Sequence, residues 1–516
     1  MTIESTTMRK LGAHVVPMLA VGAVLQAFSQ LNVAFAGLEM TRALGFSNAQ
    51  FGFGSGIFFL SYLVLGIPAN ALLLRVGARL WIALAMLAWG LLSAALAFIS
   101  TPGQFYVLRL LVGAAEAGFI PGILYIAGAW FPEAWRGRVL SLLMVCNPIA
   151  AMIGGPASGA LLRMGGFMGL AGWQWVFLAG GLAAVLLAPV ALQLLPHSPE
   201  RAAWLSGEEK AWLAARLASE HAVAPAPGGF TLRALVDTRV VALALVFLGV
   251  SALPFGLIFF LPKIIEAFGV SAAAASMLSA TPFATGAVLM LLWGRSSDRR
   301  GERLYHALAG LLLALAGCVL YLVASGPVPA LAGLCLTFGG TFAFLPIFWT
   351  LPSRLLNGPV AATGIAVING MGGVSGIVAP TLMGVLRDAT GHYEPGLACV
   401  MLTAIASGLL LWVYGRRHGL DRRRPWLALR VRRPHHQRIG ERVVWRWAGR
   451  YRLLDRVGPV GIVVRGRTDI GRDRAACRCR SSTGRRPRHR RSCMMVRNQC
   501  RCRIFHSPRW RMKSTA

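Results

Sequence analysis

The sequence predicts an all-α membrane protein: twelve transmembrane helices in two pseudo-symmetric six-helix bundles, followed by a disordered basic tail. Three observations carry this reading. The chain of 516 residues is 56% hydrophobic and only 14% charged, with mean hydropathy +0.60. Soluble domains carry about 25% charged residues. Apolar runs recur at 14–36, 51–74, 81–100, 105–130, 139–162, 174–195, 240–262, 274–293, 304–325, 328–351, 362–386 and 396–415. About 20 apolar residues cross a bilayer, and only helices satisfy their own backbone there without a closed barrel. Finally, motifs repeat. Arg75-Val76-Gly77-Ala78-Arg79 follows the second run and Arg299-Arg300-Gly301-Glu302-Arg303 follows the eighth, an offset of 224 that also relates Pro156 to Pro380. A parallel duplication of a six-helix unit explains both, and such units rock about a site near the midplane.

Taken in order, residues 1–195 form the first bundle, 196–239 a central loop, 240–415 the second bundle and 416–516 a separate tail. Met1 to Lys10 is polar and the run after it is too long for a cleaved signal peptide. In the central loop, Ser206-Gly207-Glu208-Glu209 has capping-box spacing and predicts a helix running to about His221. Trp204, Trp212 and Leu213 give it an apolar side; Pro225, Pro227, Gly228 and Gly229 then form a linker. Basic residues set the orientation. Arg75, Arg79, Arg136, Arg138, Arg295, Arg299, Arg300, Arg303 and Arg354 fall in loops on one side, against Arg42, Arg163, Lys263 and Arg387 on the other. Both termini are therefore expected in the cytoplasm of a cell whose inner (plasma) membrane holds the chain.

The formal charge of +33 belongs mostly to the tail. Residues 416–516 hold 31 of the 52 Lys and Arg, leaving +26 there and +7 in residues 1–415. Arg-rich, lysine-poor text without helical or strand period resembles an out-of-frame reading of a GC-rich coding sequence. Cys477-Arg478-Cys479 and Cys500-Arg501-Cys502 lack the spacing of a zinc module, and basic charge alone is an unspecific footprint for nucleic acid. Cys146, Cys318, Cys335 and Cys399 read as small core residues of the spans. His14 and His306 stand near span ends and read as interfacial.

The stretch Phe105 to Trp130 carries two charges, Arg109 and Glu116, inside one apolar run. Each costs about 2.5–3.5 kcal/mol in hydrocarbon even on lenient scales, so such residues face a protein interior or a water-filled path. Seven positions apart, they share a helix face. A carboxylate held out of water at mid-membrane suits a proton carrier, and a guanidinium suits a two-pronged pair with a substrate carboxylate. No nucleotide-binding loop or hydrolytic constellation is present in the sequence, so an enzyme or an ATP-driven pump is not expected, nor any cofactor or metal.

Several stretches together resemble the major facilitator superfamily and, within it, the anion:cation symporter family. They include LNVAFAGLEM at 31–40, FGFGSGIFFLSYLVLGIPAN at 51–70, LRLLVGAAEAGFIPGILYIAGAWFP at 108–132, GRSSDRRGER at 294–303 and INGMGGVSGIVAP at 368–380. The resemblance implies a proton-coupled symporter of organic acids working by alternating access. Its partners would be a small organic anion, a proton and the lipid bilayer, with the chain acting as a monomer and binding no nucleic acid. It further implies cavity-lining roles for Tyr62 and Asn369, and an inner-loop latch made by Arg75, Arg79, Asp298, Arg299 and Arg303. In the first-half copy Leu74 stands where the latch acid belongs. An Asp-Arg pair that the family carries in span one is replaced here by Ser29-Gln30. Gln26, Ser29, Gln30 and Asn32 leave a polar strip that can hydrogen-bond but not neutralise charge. The loss of that pair also makes a drug or amphiphile exporter the competing reading, with a nucleic-acid binder acting through the tail a distant third.

Overall fold

In the computed structural model, residues 2–221, 233–356 and 359–419 are described, together with short strands in the tail. Among them are twelve helices long and apolar enough to cross a membrane: Ile3–Leu44, Asn48–Gly66, Ala78–Phe98, Pro102–Trp130, Glu133–Leu162, Gly172–Leu194, Thr238–Ile258, Ala272–Arg300, Leu304–Val323, Pro327–Phe348, Thr363–Thr390 and Glu394–Arg417. We call them spans one to twelve. Residues 1–424 form one compact unit and 425–516 another. In the second unit the described elements are an antiparallel sheet of His435–Ile439, Arg442–Trp447 and Arg450–Leu454, and a two-residue strand pair. The expectation of a disordered tail falls otherwise on residues outside those described, as does the linker at 225–229.

Two spans are not the plain rods expected. Span one begins as a separate helix, Ile3–His14, which gives way at Val15 to Val16–Leu44, with Pro17 in its first turn. Span four breaks at Ala117 and Gly118, directly after Glu116. Pro121 explains the break: it has no N–H for the Ala117 carbonyl, and its ring conflicts with that carbonyl. Trp81 Nε1 donates to Gly118 O at 2.9 Å, a carbonyl that also accepts the Gly122 N–H at 3.0 Å, and so pins the start of the second half-helix. The single helix read over 105–130 is therefore two half-helices, Pro102–Glu116 and Phe119–Trp130.

The two bundles meet along two seams, span two on span eleven and span five on span eight. These pairs exchange under the duplication read from Pro156 and Pro380. Both seams are tightest near the end marked by Gly45. A methyl group on Gly52 would lie 2.2 Å from Pro380 O, one on Gly56 2.8 Å from Gly376 O, and one on Gly384 2.1 Å from Asn48 O. On the other seam a methyl on Gly155 would lie 2.6 Å from Ser276 O and one on Gly159 2.7 Å from Ala273 O. The polar ties gather at the same end: Arg42 with Glu266, Asn48 and Ala49 with Asp388, Lys263 with Asn48, and Ser276 with Gly155. Toward the end marked by Gly77 a methyl on Gly66, Gly137 or Gly294 would meet nothing within 4 Å. Small residues permit this close approach at one end. Among the described residues the two bundles are thus closed at the Gly45 end, where the close approaches and polar ties gather.

The capping box of the central loop forms as its spacing predicts. Ser206 N–H donates to Glu209 Oε2 at 2.8 Å and Glu209 N–H donates to Ser206 Oγ at 3.2 Å. The helix runs Gly207–His221. It lies on the first bundle, tied by Lys10 to Glu209 at 2.8 Å and by Arg136 to Glu220 at 3.3 Å. Trp204 stacks on His14 with ring centroids 4.5 Å apart. His306 pairs with Glu302 at 2.7 Å, so both end histidines are engaged by protein.

Candidate transport site

Arg109 and Glu116 sit in the last two turns of the first half of span four, on its inward face, and both are 0% exposed. No ion pair joins them. Glu116 Oε2 accepts from Gln26 Nε2 at 2.9 Å and from Gln30 Nε2 at 3.3 Å, and Ser29 faces the same carboxylate. Gln26 and Gln30 are four apart on span one and share a face. Arg109 Nη2 donates to Ser55 O at 3.1 Å, and its guanidinium lies 4.8 Å from the Phe58 ring centre. Its Nε and Nη1 are buried without a partner. Such orphaned donors are costly and invite an acceptor.

Of the two settings expected for such charges, a protein interior or a water-filled path, the pair occupies the first. The acid and base do not line an open cleft between the bundles; they are enclosed within the first bundle, against spans one and two. Half-buried Gln30 and Tyr62 border them. Tyr62 stacks on Phe58 at 5.7 Å and lies within electrostatic reach of Glu116. Asn32 is not with them. Two residues past Gln30, it turns about 200° around the helix, and its Nδ2 donates to Ser93 Oγ of span three at 3.2 Å, fully buried. It is a contact inside the first bundle. Asn369 is exposed on span eleven, one residue from Gly370, where a methyl would lie 3.1 Å from Leu63 Cδ1 of span two.

The loop residues also differ from a cross-bundle latch. Arg303 pairs with Asp298 of its own loop at 2.6 Å and donates to Ser297 Oγ at 2.9 Å; Asp298 stays 69% exposed. Arg299 is exposed. Arg79 donates to Leu192 O, at the carbonyl end of span six, where a cation is favoured. Arg75 is exposed at the end of the helix from span two.

Residues 19–380 match the Major Facilitator Superfamily. The chain belongs to that superfamily. A putative tartrate transporter of Agrobacterium vitis is 40% identical over 414 residues, covering 80% of this chain and 92% of that one. The inner membrane transport protein RhmT of Escherichia coli (strain K12) is 37% identical over 409 residues, covering 78% and 94%. A quinolone resistance transporter of Acinetobacter baumannii is 38% identical over 417 residues, covering 80% and 96%. Among solved structures, a bacterial homolog of the human lysosomal transporter Spinster aligns with TM-score 0.66 at 18% identity, over 80% of this chain and 98% of that one. A D-xylose-proton symporter aligns with TM-score 0.60 at 16% identity, over 77% and 97%. With its family and twelve apolar spans, the chain is an integral membrane transporter of this superfamily.

The Gln26–Glu116 and Gln30–Glu116 contacts lay beyond sequence reasoning as pairs, although all three residues stood out singly. The signal that was available is the four-residue spacing of two amides on an otherwise apolar helix.

Proposed function

We propose that this transporter takes up a small organic anion, a carboxylate, together with a proton, by alternating access. The observation that carries the reading is Glu116, fully buried, held by two amides and in no ion pair among the described residues, beside a break in its span. The amides both donate to Oε2, and Oε1 is buried without a partner, which leaves it the oxygen to take a proton. The free donors of Arg109, two turns away on the same helix face, suit a carboxylate acceptor. Gln30 and Tyr62 border the pair, and exposed Asn369 of span eleven would offer a hydrogen bond from the second bundle. Broken spans near mid-membrane are where superfamilies of this kind bind substrate and coupling ion. Residues 1–195 and 240–415 act as the two rocking bodies. The Gly77 end is cytoplasmic on the balance of basic loops, with both termini inside the plasma membrane and the chain working as a monomer. In the opposite state the Gly77 end closes, and exposed Asp298, Arg299 and Arg75, with Arg303 and Arg79, supply its latch.

The relative named a quinolone resistance transporter favours a second reading, drug export, as does the uncharged Ser29-Gln30 pair. Uptake of labelled tartrate into vesicles under an inward proton gradient separates the two. Import predicts gradient-driven accumulation that Glu116→Gln abolishes while tartrate counterflow persists. Gradient-driven uptake with unchanged pH dependence in Glu116→Gln would remove the proton carrier. Lowered fluoroquinolone accumulation in cells, with no tartrate uptake, would favour export. Truncation after Gly415 leaves transport unchanged on either reading.

A further inference from the structure

At the Gly45 end a cavity of about 340 Å3 opens in the seam between the bundles, far above the ~15 Å3 that one water needs. Its wall carries three cations: Arg42 of span one, Lys263 of the short helix Leu261–Glu266, and Arg387 of span eleven. Glu266 is its one lining acid, and Arg42 already holds it. Arg387 lies over Tyr393 at 4.7 Å. Lys263 Nζ sits 4.3 Å from the Phe51 ring centre and 5.9 Å from that of Phe260, with Asn48 Oδ1 at 3.5 Å. No carboxylate among the described residues pairs with it. The nearby acids are spent elsewhere: Asp388 accepts from Asn48 and Ala49, and Glu39 from the Trp173 N–H. Burial, with Arg42 beside it, pushes the Lys263 ammonium down to about 7. Arg42 is 65% exposed and marks the mouth.

We infer that this cavity is a second, vestibular site for a small organic dicarboxylate. Its cations come from both bundles, so a ligand with two carboxylates can engage both walls, one group on Arg42 and the other on Lys263. A ligand carboxylate on Arg42 competes with Glu266 for the guanidinium. That contact is one of the ties that close this end, so occupancy loosens the closure while it collects anion at the mouth. That the occupant is also the transported molecule rests on the organic-anion reading above; the site itself does not.

Lys263 reports occupancy directly. The full-length protein in proteoliposomes is treated at about pH 7, where Lys263 is partly unprotonated, with a membrane-impermeant acylating reagent, and Lys263 modification is read by mass spectrometry. Tartrate should slow acylation about tenfold, the effect of one charge-assisted contact. Erythritol should not slow it, and equimolar sulfate should slow it less. Arg42→Gln should remove the tartrate effect. It should also raise KM for tartrate entering from the Gly45 side about tenfold, and leave KM from the Gly77 side unchanged. Acylation indifferent to tartrate, or slowed equally by sulfate, overturns the site even if tartrate is transported. Protection by tartrate without any tartrate transport upholds the site and overturns the transport reading instead.

Discussion

Asp388 caps a helix of the opposite bundle. Its Oδ1 accepts from the Asn48 N–H at 3.0 Å and from Asn48 Nδ2 at 2.8 Å, and its Oδ2 accepts from the Ala49 N–H at 2.7 Å. The first N–H groups of a helix have no intrahelical partner, and an anion there also meets the positive end of the helix dipole. The cap therefore belongs to the state closed at this end and must be given up in the other. Asp388→Ala should weaken closure by ~1.5–3 kcal/mol, the range for hydrogen bonds to a charged group. A cysteine at Thr41, which lines the adjoining cavity, should then react about tenfold faster with an impermeant maleimide. Equal rates with and without Asp388 would mean that the cap does not hold the gate.

Packing at the seam gives the stronger constraint. With Pro380 O only 2.2 Å from where a methyl on Gly52 would stand, backbone rather than a flexible side chain is in the way. Gly52→Val should exclude the closed state and reduce uptake by at least ~10-fold, since tightly packed seams do not absorb such overlaps cheaply. The variant should still insert in the membrane, because the residue opposes only the partner bundle. Uptake at the native rate would show that the seam repacks.

The sequence revealed what depends on local pattern. Twelve apolar runs, the Ser206–Glu209 capping box and the paired Pro156 and Pro380 all announce themselves within a few residues. Partner choice did not. Gln26 and Glu116 are 90 positions apart and Asp388 and Asn48 are 340 apart, and no periodicity links them. Asn32 was misplaced because a motif was read as one unit, whereas helical rotation sends it to the opposite side from Gln30. The break after Glu116 was legible in Pro121 and Gly118 and was obscured by the hydrophobicity that continues across it.

Arg109 separates charge from geometry. Lysine would keep the charge but lose the planar group over Phe58 and the pronged donors. Arg109→Lys should raise KM for tartrate about tenfold with a smaller effect on maximal rate, as expected when ground-state binding is lost. An unaltered KM in both Arg109→Lys and Arg109→Gln would move the anion elsewhere.

The vestibular cavity should depend on pH. Lys263 faces Arg42, Arg387, Glu266 and Asp388, and burial brings its ammonium down to about 7. A bound anion favours the ammonium, so binding takes up a proton above that pH and not below it. Tartrate protection of the site should therefore strengthen as pH falls from 8 to 6, by up to ~10-fold per unit on the alkaline side. A cysteine at Thr41 gives a readout independent of the lysine, as the maleimide rate with and without tartrate. In Lys263→Arg, whose charge is fixed over this range, the pH dependence should vanish while protection remains. Persistence of the dependence would assign it to another group.

The strap helix Gly207–His221 offers a test outside the transport path. Its Ser206–Glu209 box should contribute about 1 kcal/mol, as N-caps do, so Ser206→Ala should lower the thermal unfolding midpoint modestly. Glu209 serves two partners, Ser206 N–H and Lys10 Nζ. The Lys10 side chain, and then the Ser206 N–H, hold its carboxyl below the usual range. That contribution is fully present above the ordinary carboxylate range and is lost as pH falls through the depressed value. Lys10 is partly exposed, so solvent screens the pair and its share is small. Glu209→Gln should therefore cost more than Lys10→Met, and the double variant should cost less than the two added together. Strict additivity would show that the strap does not bind the first helix through this pair.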